Sequence, residues 1–493
     1  MHQAELRFYL LVRVHKALPP IARMYYARTQ HPMTPENARQ NLKTFVLHAR
    51  FAEAESLARQ IRQDAQRENR QDLGAEASFV IGQCAFEQLR YQDAWDAFAD
   101  TLADRSELHG SNHLLTAQAR AWLAAVSIAL DRRDETRSLL ERAKSAIPAE
   151  PATDERLVAA DTLKAIGFVE TRIDAVQQAL EHLRRSLTLA ETAPDADELE
   201  IASICVILGM AEQSARLLEE AETHFQKALD IRSRILGEDN QLVAYCRNHV
   251  GVTRMLRGGA SEAKELVDQS IAGLEALQAD GRLTASSMTS RGAIAAVEED
   301  HSRAIDTLEK ALLMKGGTEG ETPEVAQTLV MLGLMQLGFE QPDLAESHLR
   351  RAVKILLPYH QTELDTLFKA FNNTLTALNA QRKFKEVITF AEPILDKLQK
   401  EALVDPGFLA AVMAGLSSGH YGLKKYAKAE KLLRRALGVV ESRLGPEAQE
   451  LEPILHNLAQ LMNEMGRKVE AKSYARRYEE IRAKYRDEPE ALA

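Results

Sequence analysis

The sequence is poor in residues that break helices and in residues that build disulfides. Its 493 residues include 3 cysteines, 15 prolines, 24 glycines and 2 tryptophans. Three isolated cysteines without a CxxC pair exclude a disulfide framework and a zinc site of that type. Because proline and glycine are scarce while alanine, leucine, glutamate and arginine dominate, the composition favours helices over strands.

Long apolar runs are also missing. No run reaches the roughly eighteen residues that a membrane-spanning helix needs. The apolar start of the chain is interrupted by Arg7 and Arg13 and no small-residue cleavage site follows, so it is unlike a secretory signal. The net charge of −10 argues against a dedicated nucleic-acid binder, which usually shows a basic stripe. We therefore expect a cytoplasmic protein with no direct nucleic-acid partner.

Two motifs of common enzymes are absent from the sequence. It contains no G-x-x-x-x-G-K-[ST] or H-E-x-x-H segment, and it has no zinc-ligand spacing. His420 and His456 are lone histidines in helical context, where packing or surface roles are more common than catalysis or metal binding. These observations predict a protein that is not an enzyme and uses no metal or cofactor.

What the sequence does contain is an internal repeat. A small residue followed twelve positions later by an alanine recurs about every forty-two residues, with few exceptions. The second members of these pairs are Ala54, Ala94, Thr136, Ala179, Ala221, Ala263, Ala304, Ala345, Val387, Ala429 and Ala471. A period kept over eleven units is the signature of a solenoid built from one supersecondary unit.

Each repeat is expected to form two helices. Around Gly333, the residues Leu329, Leu332 and Leu334 have the three- and four-residue spacing of one apolar helical face. A residue without a bulky side chain on that face lets a neighbouring helix approach closely. Twelve residues later the alanine is predicted to open the second helix of the unit.

This pattern resembles the tetratricopeptide repeat, whose usual unit has 34 residues. The eight or so extra residues look like the kinesin light chain subtype, whose longer second helix ends in a Leu-Gly turn. That turn matches Leu236-Gly237 and Leu444-Gly445, where glycine fits a left-handed helix end. The resemblance covers about residues 36–485 and implies an all-α, right-handed superhelix of about eleven helix-turn-helix units.

The resemblance does not extend to the residues before the repeats. Only about thirty-five residues precede them, so the long heptad coiled coil of kinesin light chains is not present in this sequence. The resemblance therefore implies only the architecture and the binding mode of the protein.

Three domains are predicted: an arm over residues 1–35, a continuous superhelix over residues 36–485 and a tail over residues 486–493. The arm is basic, with Arg7, Arg13 and Lys16 among its cations. It either caps the apolar face of the first repeat or docks on a membrane surface or a partner.

Unit nine departs from the repeat. Leu375, Val387 and Ile394 replace its three small residues, and Pro393 falls inside its predicted second helix. A proline there should kink or shorten the helix. Residues 371–400 form either an ordinary irregular repeat or a hinge between two superhelical segments.

The resemblance also implies where a partner binds, because tetratricopeptide superhelices bind ligands on the concave surface lined by their first helices. Carried onto this register, the contact positions lie three before, one after and four after the small residue. They are Lys164, Phe168, Thr171, Val206, Met210, Gln213, Asn248, Val252, Met255, Asn372, Thr376, Asn379, His456, Gln460 and Asn463.

These positions differ in chemistry along the chain. The middle is apolar, with Met210, Val252 and Met255. The C-terminal part is rich in amides, which donate and accept hydrogen bonds and can bind the main chain of an extended peptide; the alternative is that these amides only solvate the helix face. A clamp for a terminal carboxylate would need asparagine where Phe168 stands, so a receptor for chaperone tails is not predicted.

The sequence thus predicts a non-catalytic scaffold or adaptor that binds a peptide segment of a partner protein in its groove. Two alternatives stay open. One is a regulatory sensor for a small peptide or effector. The other is the recognition subunit of a complex whose catalytic part, for example a caspase-like protease, is another chain.

Overall fold

The computed structural model describes residues 35–485 except positions 131, 174, 280, 319–320, 361–362 and 402–403. Within this part of the chain the secondary structure consists of 22 α-helices and two short 3-10 turns, without strands. The prediction of an all-α solenoid is confirmed. The predicted arm, apart from residue 35, and the predicted tail lie outside the described residues.

The chain forms two compact bodies, Met1–Ala215 and Arg216–Ala493. The helices of the first body are α1 Pro35–Leu47, α2 Phe51–Arg67, α3 Gln71–Glu87, α4 Tyr91–His109, α5 Leu114–Ala129, α6 Arg133–Lys144, α7 Arg156–Arg172, α8 Val176–Glu191 and α9 Glu198–Ser214. Odd-numbered helices are the first helices of the repeats and even-numbered helices are the second helices.

The second body contains the remaining helices. They are α10 Leu218–Leu236, α11 Gln241–Leu256, α12 Ala260–Ala276, α13 Gly281–Val297, α14 His301–Thr318, α15 Pro323–Gly338, α16 Pro342–Leu356, α17 Leu364–Ala380, α18 Phe384–Leu398, α19 Pro406–Gly422, α20 Tyr426–Arg443, α21 Leu451–Glu464 and α22 Lys468–Tyr485.

The repeat register read from the sequence fixes where second helices start. Every second helix begins three residues before the alanine, or its replacement, of its unit. Ala94, Ala345 and Ala429 are fully buried at this position. The residue two before each second helix has a positive φ wherever the structure describes it, as at Arg382 (56°) and Lys424 (57°). This backbone conformation makes the tight turn from the first helix to the second.

Glycine on a first helix receives a side chain of the second helix. A Cβ atom at Gly167 would lie 2.4 Å from Cγ of Leu183, and one at Gly333 would lie 2.5 Å from Cγ of Leu349. Such distances exclude any side chain without movement of the neighbour, so the predicted close approach of the two helices is confirmed.

Neighbouring units are joined by a recurring ion pair. In units one, five, eight and ten the residue after the alanine is a glutamate that binds a cation of the next unit. Glu346 accepts from Lys383 Nζ at 2.8 Å, and Glu430 accepts from Arg467 Nη1 at 2.7 Å. Glu55 and Arg90 form the same pair in the first body. These pairs align the turns between first and second helices of successive units.

Unit nine packs against its neighbour in a way that differs from the glycine contacts of the other units. Its large Leu375 lies against Gly415 of α19, where a Cβ would be 2.4 Å from Leu375 Cδ1. One apolar core continues from Val325 in unit eight to Ile481 in unit eleven. Helix α18 extends five residues beyond Pro393, and its 15 residues equal those of α16, so the proline does not by itself shorten it. The hinge at residues 371–400 stays a prediction.

The Leu-Gly turns have the expected sign of φ. Gly237 follows α10 with φ of 81° and Gly445 follows the end of α20 with φ of 104°. The ψ of Gly237 is 164°, so this residue is extended and not in the left-handed helical region. Glycine reaches both regions without a Cβ clash, which explains its use there.

Candidate binding surfaces on the first helices

The first-helix face is defined by the register positions three before, one after and four after the small residue. In the first body the predicted positions are largely covered. Lys164, Phe168 and Thr171 on α7 are half-buried, as are Met210 and Gln213 on α9. Val206 is 4% exposed. For Lys164 and Phe168, rings of neighbouring first helices of the same body contribute the covering groups.

A buried charge pair lies at the centre of this face. Lys164 Nζ is 2.8 Å from Asp161 Oδ1, and the other carboxylate oxygen accepts from Gln118 Nε2 at 2.6 Å and Trp122 Nε1 at 2.9 Å. Burial alone would raise the pKa of Asp161, but Lys164 and these donors hold it below its usual range. Burial would likewise lower the pKa of Lys164, yet the charges of Asp161 and Glu200 raise it. Both groups are therefore charged near neutral pH.

Aromatic rings fill the space beside this pair. The ring of Phe168 on α7 meets that of Phe86 on α3 edge-on, with centroids 6.0 Å apart. Phe86 in turn meets Trp122 on α5 at 5.7 Å. Arg172 lies over the outer side of Phe168 at 5.6 Å. First helices of units two and four thus touch across unit three, which leaves no open groove at Phe168.

An ion pair spans the same face over a longer distance. Lys43 Nζ on α1 is 3.2 Å from Glu200 Oε2 on α9, so the first helices of units one and five meet. The charge of Glu200 also acts on Lys164. We call the surface around Lys43, Asp161, Lys164, Phe168 and Glu200 the closed face, because the body's own side chains occupy it.

The first predicted positions of the second body lie on α11 and include both polar and apolar side chains. Asn248 is 6% exposed and its Oδ1 has no hydrogen-bond partner among the described residues, while Val252 and Met255 are half-buried. Next to Asn248, His249 stacks on Phe225 with centroids 4.9 Å apart. Burial lowers the pKa of His249 to about 4, with a further contribution from the charge of Arg232.

Four of the six predicted C-terminal positions of the second body are exposed. Thr376, His456, Gln460 and Asn463 are exposed, and Asn372 and Asn379 are half-buried. Gln460 Nε2 lies 2.8 Å from His456 Nε2 along α21. Asn379 Nδ2 donates to Ser418 Oγ at 3.4 Å, which links α17 to α19, while Asn379 Oδ1 has no donor within the described chain.

Two residues of this surface were missed by the sequence reasoning. The same register around Ser417 in unit ten gives Ser418 and Tyr421, between the predicted residues of α17 and α21. Tyr421 is 38% exposed, and burial together with the nearby charge of Glu464 raises its pKa. The signal was present, since the same spacing had only to be applied to unit ten. We call the surface formed by Asn372, Thr376, Asn379, Ser418, Tyr421, His456, Gln460 and Asn463 the open face.

Reactive and metal-binding groups were also sought. Residues 35–485, with the gaps stated above, contain no cluster of three or more His, Cys, Asp or Glu side chains able to bind a metal ion. Cys84, Cys205 and Cys246 are buried free thiols, and burial raises the pKa of Cys84 to about 12. Over the same residues, no helix combines the length and apolar character needed to cross a bilayer.

Comparison with known proteins points to one family. The family model of the tetratricopeptide repeat matches residues 200–276 and 408–484. Kinesin light chain-related protein 3 of Arabidopsis thaliana is 22% identical over 372 residues, which are 75% of this chain. The match spans 57% of that relative's own length.

Solved structures were compared as well. The crystal structure of a Rap protein complexed with competence and sporulation factor is 14% identical, with a TM-score of 0.49, and the match covers 84% of this chain and 99% of that one. The structure of BtubC from P. vanneervenii is 16% identical, with a TM-score of 0.35, over 48% of this chain and 90% of that one.

Proposed function

Because the chain is a tetratricopeptide-repeat protein of the kinesin light chain type, we propose that it is a non-catalytic scaffold whose open face binds a peptide segment of a partner protein. One observation carries this proposal. Exposed amide and hydroxyl side chains line three successive first helices of the second body, whereas the same register of the first body is occupied by packed rings and paired charges.

The chemistry of the open face suits the main chain of a peptide. Asn372, Asn463 and Gln460 each present both a donor and an acceptor, and a peptide backbone offers one of each per residue.

Apart from His456, the side chains of the open face are amides and hydroxyls that are uncharged near neutral pH. Recognition through uncharged amides fixes the path of a peptide without selecting strongly for its side chains. The face therefore fits a scaffold that accepts an extended segment, with specificity added by residues beside it.

A displayed library of random peptides, selected on the full-length chain, tests the proposal. The affinity of a selected peptide is then measured for Asn372→Ala with Asn379→Ala. Loss of two hydrogen bonds of about 1 kcal/mol each predicts at least about tenfold weaker binding. The matched control is Gln269→Ala with Gln399→Ala, which removes two exposed amides elsewhere on the second body and should leave the affinity unchanged.

Two results would refute the placement of the site. One is an unchanged affinity in the asparagine variant while circular dichroism shows it folded. The other is a photo-crosslink from the bound peptide to the first body and none to α17, α19 or α21. If the library yields no peptide at all, the scaffold function itself fails.

A further inference from the structure

In units nine, ten and eleven, a row of exposed cations lies in the turns between first and second helices and in the first turns of the second helices. We call this row the basic edge. It consists of Arg382, Lys385, Lys424, Lys425, Lys428 and Lys468. Across the described chain none of these six side chains forms an ion pair or a side-chain hydrogen bond. A protein with a net charge of −10 thus concentrates unpaired positive charge on one edge.

These three turns lie side by side. A Cβ atom at Gly422 in the turn of unit ten would be 2.2 Å from Cδ1 of Phe384 in unit nine. Arg467 of the turn in unit eleven binds Glu430 at the start of α20 in unit ten. Of the acids beside the edge, Glu430 pairs with Arg467 and Glu346 pairs with Lys383, while Glu464 at the end of α21 is exposed.

The helices add to the positive potential of the edge. Helices α18, α20 and α22 all begin there, and the N-terminus of a helix carries a partial positive charge. His420 at the end of α19 is affected by the same cations. Its pKa is lowered first by burial and then by the charges of Lys428 and Lys425, partly offset by Glu392.

The basic edge has a sharp limit. The equivalent turns of units seven and eight are acidic and exposed, with Glu299 and Asp300 in one and Glu340 and Asp343 in the other. A long polyanion that followed the basic edge towards these turns would meet like charge. The surface therefore favours an anionic ligand that is short enough to end within three turns.

We propose that the basic edge binds a short acidic segment, rich in aspartate and glutamate, of a partner protein. Charge complementarity supports this occupant. A nucleic acid or an anionic bilayer extends well beyond three turns, where the acidic turns and the overall negative charge repel it. The basic edge shares no residue with the open face, so this inference goes beyond the peptide-binding function proposed above.

A fluorescent peptide with six glutamates spaced by glycine and serine is the probe for this surface. Its binding to the full-length chain is followed by anisotropy, beside a control peptide with glutamine in place of glutamate. The glutamate peptide should bind more tightly, and its affinity should fall as the salt concentration rises. Lys424→Glu with Lys425→Glu and Lys428→Glu should weaken it at least about tenfold, because three exposed charge pairs become repulsions.

The matched control variant changes the same charge elsewhere. Lys354, Lys397 and Lys400 are exposed and lie at the ends of α16 and α18, away from the starts of these helices. Their triple substitution by glutamate should change the affinity less than threefold. Equal loss in both triple variants would show only a general charge effect and would overturn the proposal.

Other occupants give different results. Tighter binding of phosphatidylserine vesicles or duplex DNA than of the glutamate peptide, lost in the edge variant, would overturn the assignment to an acidic protein segment. Self-association in sedimentation, abolished by the same variant, would assign the edge to the acidic turns of a second copy. The edge variant should keep its affinity for a library-selected peptide, so failure of this inference and failure of the proposed function are distinguishable.

Discussion

Lys164 on α7 and Asn372 on α17 occupy the same register position in different bodies, three residues before the small position of their units. Lys164 is paired with Asp161 beneath Trp122 and within reach of Glu200. Asn372 is half-buried, and its backbone carbonyl accepts a hydrogen bond from the hydroxyl of the exposed Thr376. The repeat places a residue on the first-helix face, and only its neighbours determine whether a partner can reach it.

The largest expected difference between the faces is in stability. Lys164→Met leaves Asp161 as a buried charge without its cation, and removing one partner of such a pair costs about 3–5 kcal/mol. Asn372→Ala should change the free energy of unfolding by less than about 0.5 kcal/mol, since it lies on a surface. Both tryptophans, Trp95 and Trp122, belong to the first body, so urea unfolding followed by their fluorescence reports on the closed face.

The double variant Asp161→Asn with Lys164→Met is the control. It should recover much of the lost stability, because no buried charge is left unpaired. If Lys164→Met lowered the free energy of unfolding by less than about 1 kcal/mol, water would reach Asp161, and the closed face would not be occupied by the body's own side chains.

Acid should destabilise the second body more than the first. The pKa of His249 is lowered to about 4 in the folded second body, below the usual value of about 6.5 in an unfolded chain. Its contribution to stability is full above pH 6.5 and is lost as the pH falls towards 4. The second body should lose about 2 kcal/mol between pH 7 and 4.5, while the tryptophan-reported stability of the first body changes less.

Hydrogen exchange of α11 measured at both pH values gives this difference, and His249→Gln should remove most of it. Equal acid destabilisation in wild type and His249→Gln would assign the effect to other groups.

The packing of unit nine gives an intermediate effect. Gly415→Val would drive a side chain into Leu375, and overpacking of this kind costs about 1–3 kcal/mol. Leu375→Ala in the same chain should restore part of the loss, because it empties the space that valine needs. Thermal unfolding by circular dichroism measures both. If the rescue fails while Gly415→Val alone is destabilising, Leu375 is not the group that restricts the size of the side chain at position 415 of α19.

The smallest expected effect concerns the ion pair across the closed face. Lys43 and Glu200 are 36% and 14% exposed, and half-exposed pairs contribute about 1 kcal/mol or less. Lys43→Ala should therefore lower the stability of the first body slightly and raise the hydrogen exchange of α1. The conservative variant Lys43→Arg should keep the wild-type exchange rate of α1, because Glu200, whose charge also acts on Lys164, stays in place. An unchanged exchange rate in Lys43→Ala would show that packing alone positions α1.

The sequence was sufficient to predict the repeat. It was much less informative about which positions on the first helices are exposed to a partner. Small residues at Gly167 and Gly333 and alanines such as Ala345 predicted the helix pairs correctly, because packing within one unit is local. The predicted starts of the second helices were three residues too late, since each helix begins three residues before the alanine. The closed face depends on contacts such as Phe86 with Phe168 and Lys43 with Glu200, which join units distant in sequence. Repeat spacing carries no information on such contacts, so Lys164 and Phe168 could not be distinguished from Asn372 in advance.

The central claim is that a partner peptide occupies the open face and not the closed one. The native cysteines are buried, so a cysteine introduced by Thr376→Cys or Thr171→Cys reports its own site through its rate of reaction with dithionitrobenzoate. A library-selected peptide should slow the reaction of the Thr376→Cys chain at least about tenfold and leave that of the Thr171→Cys chain unchanged. Slowing at position 171 with no change at position 376 would contradict the account.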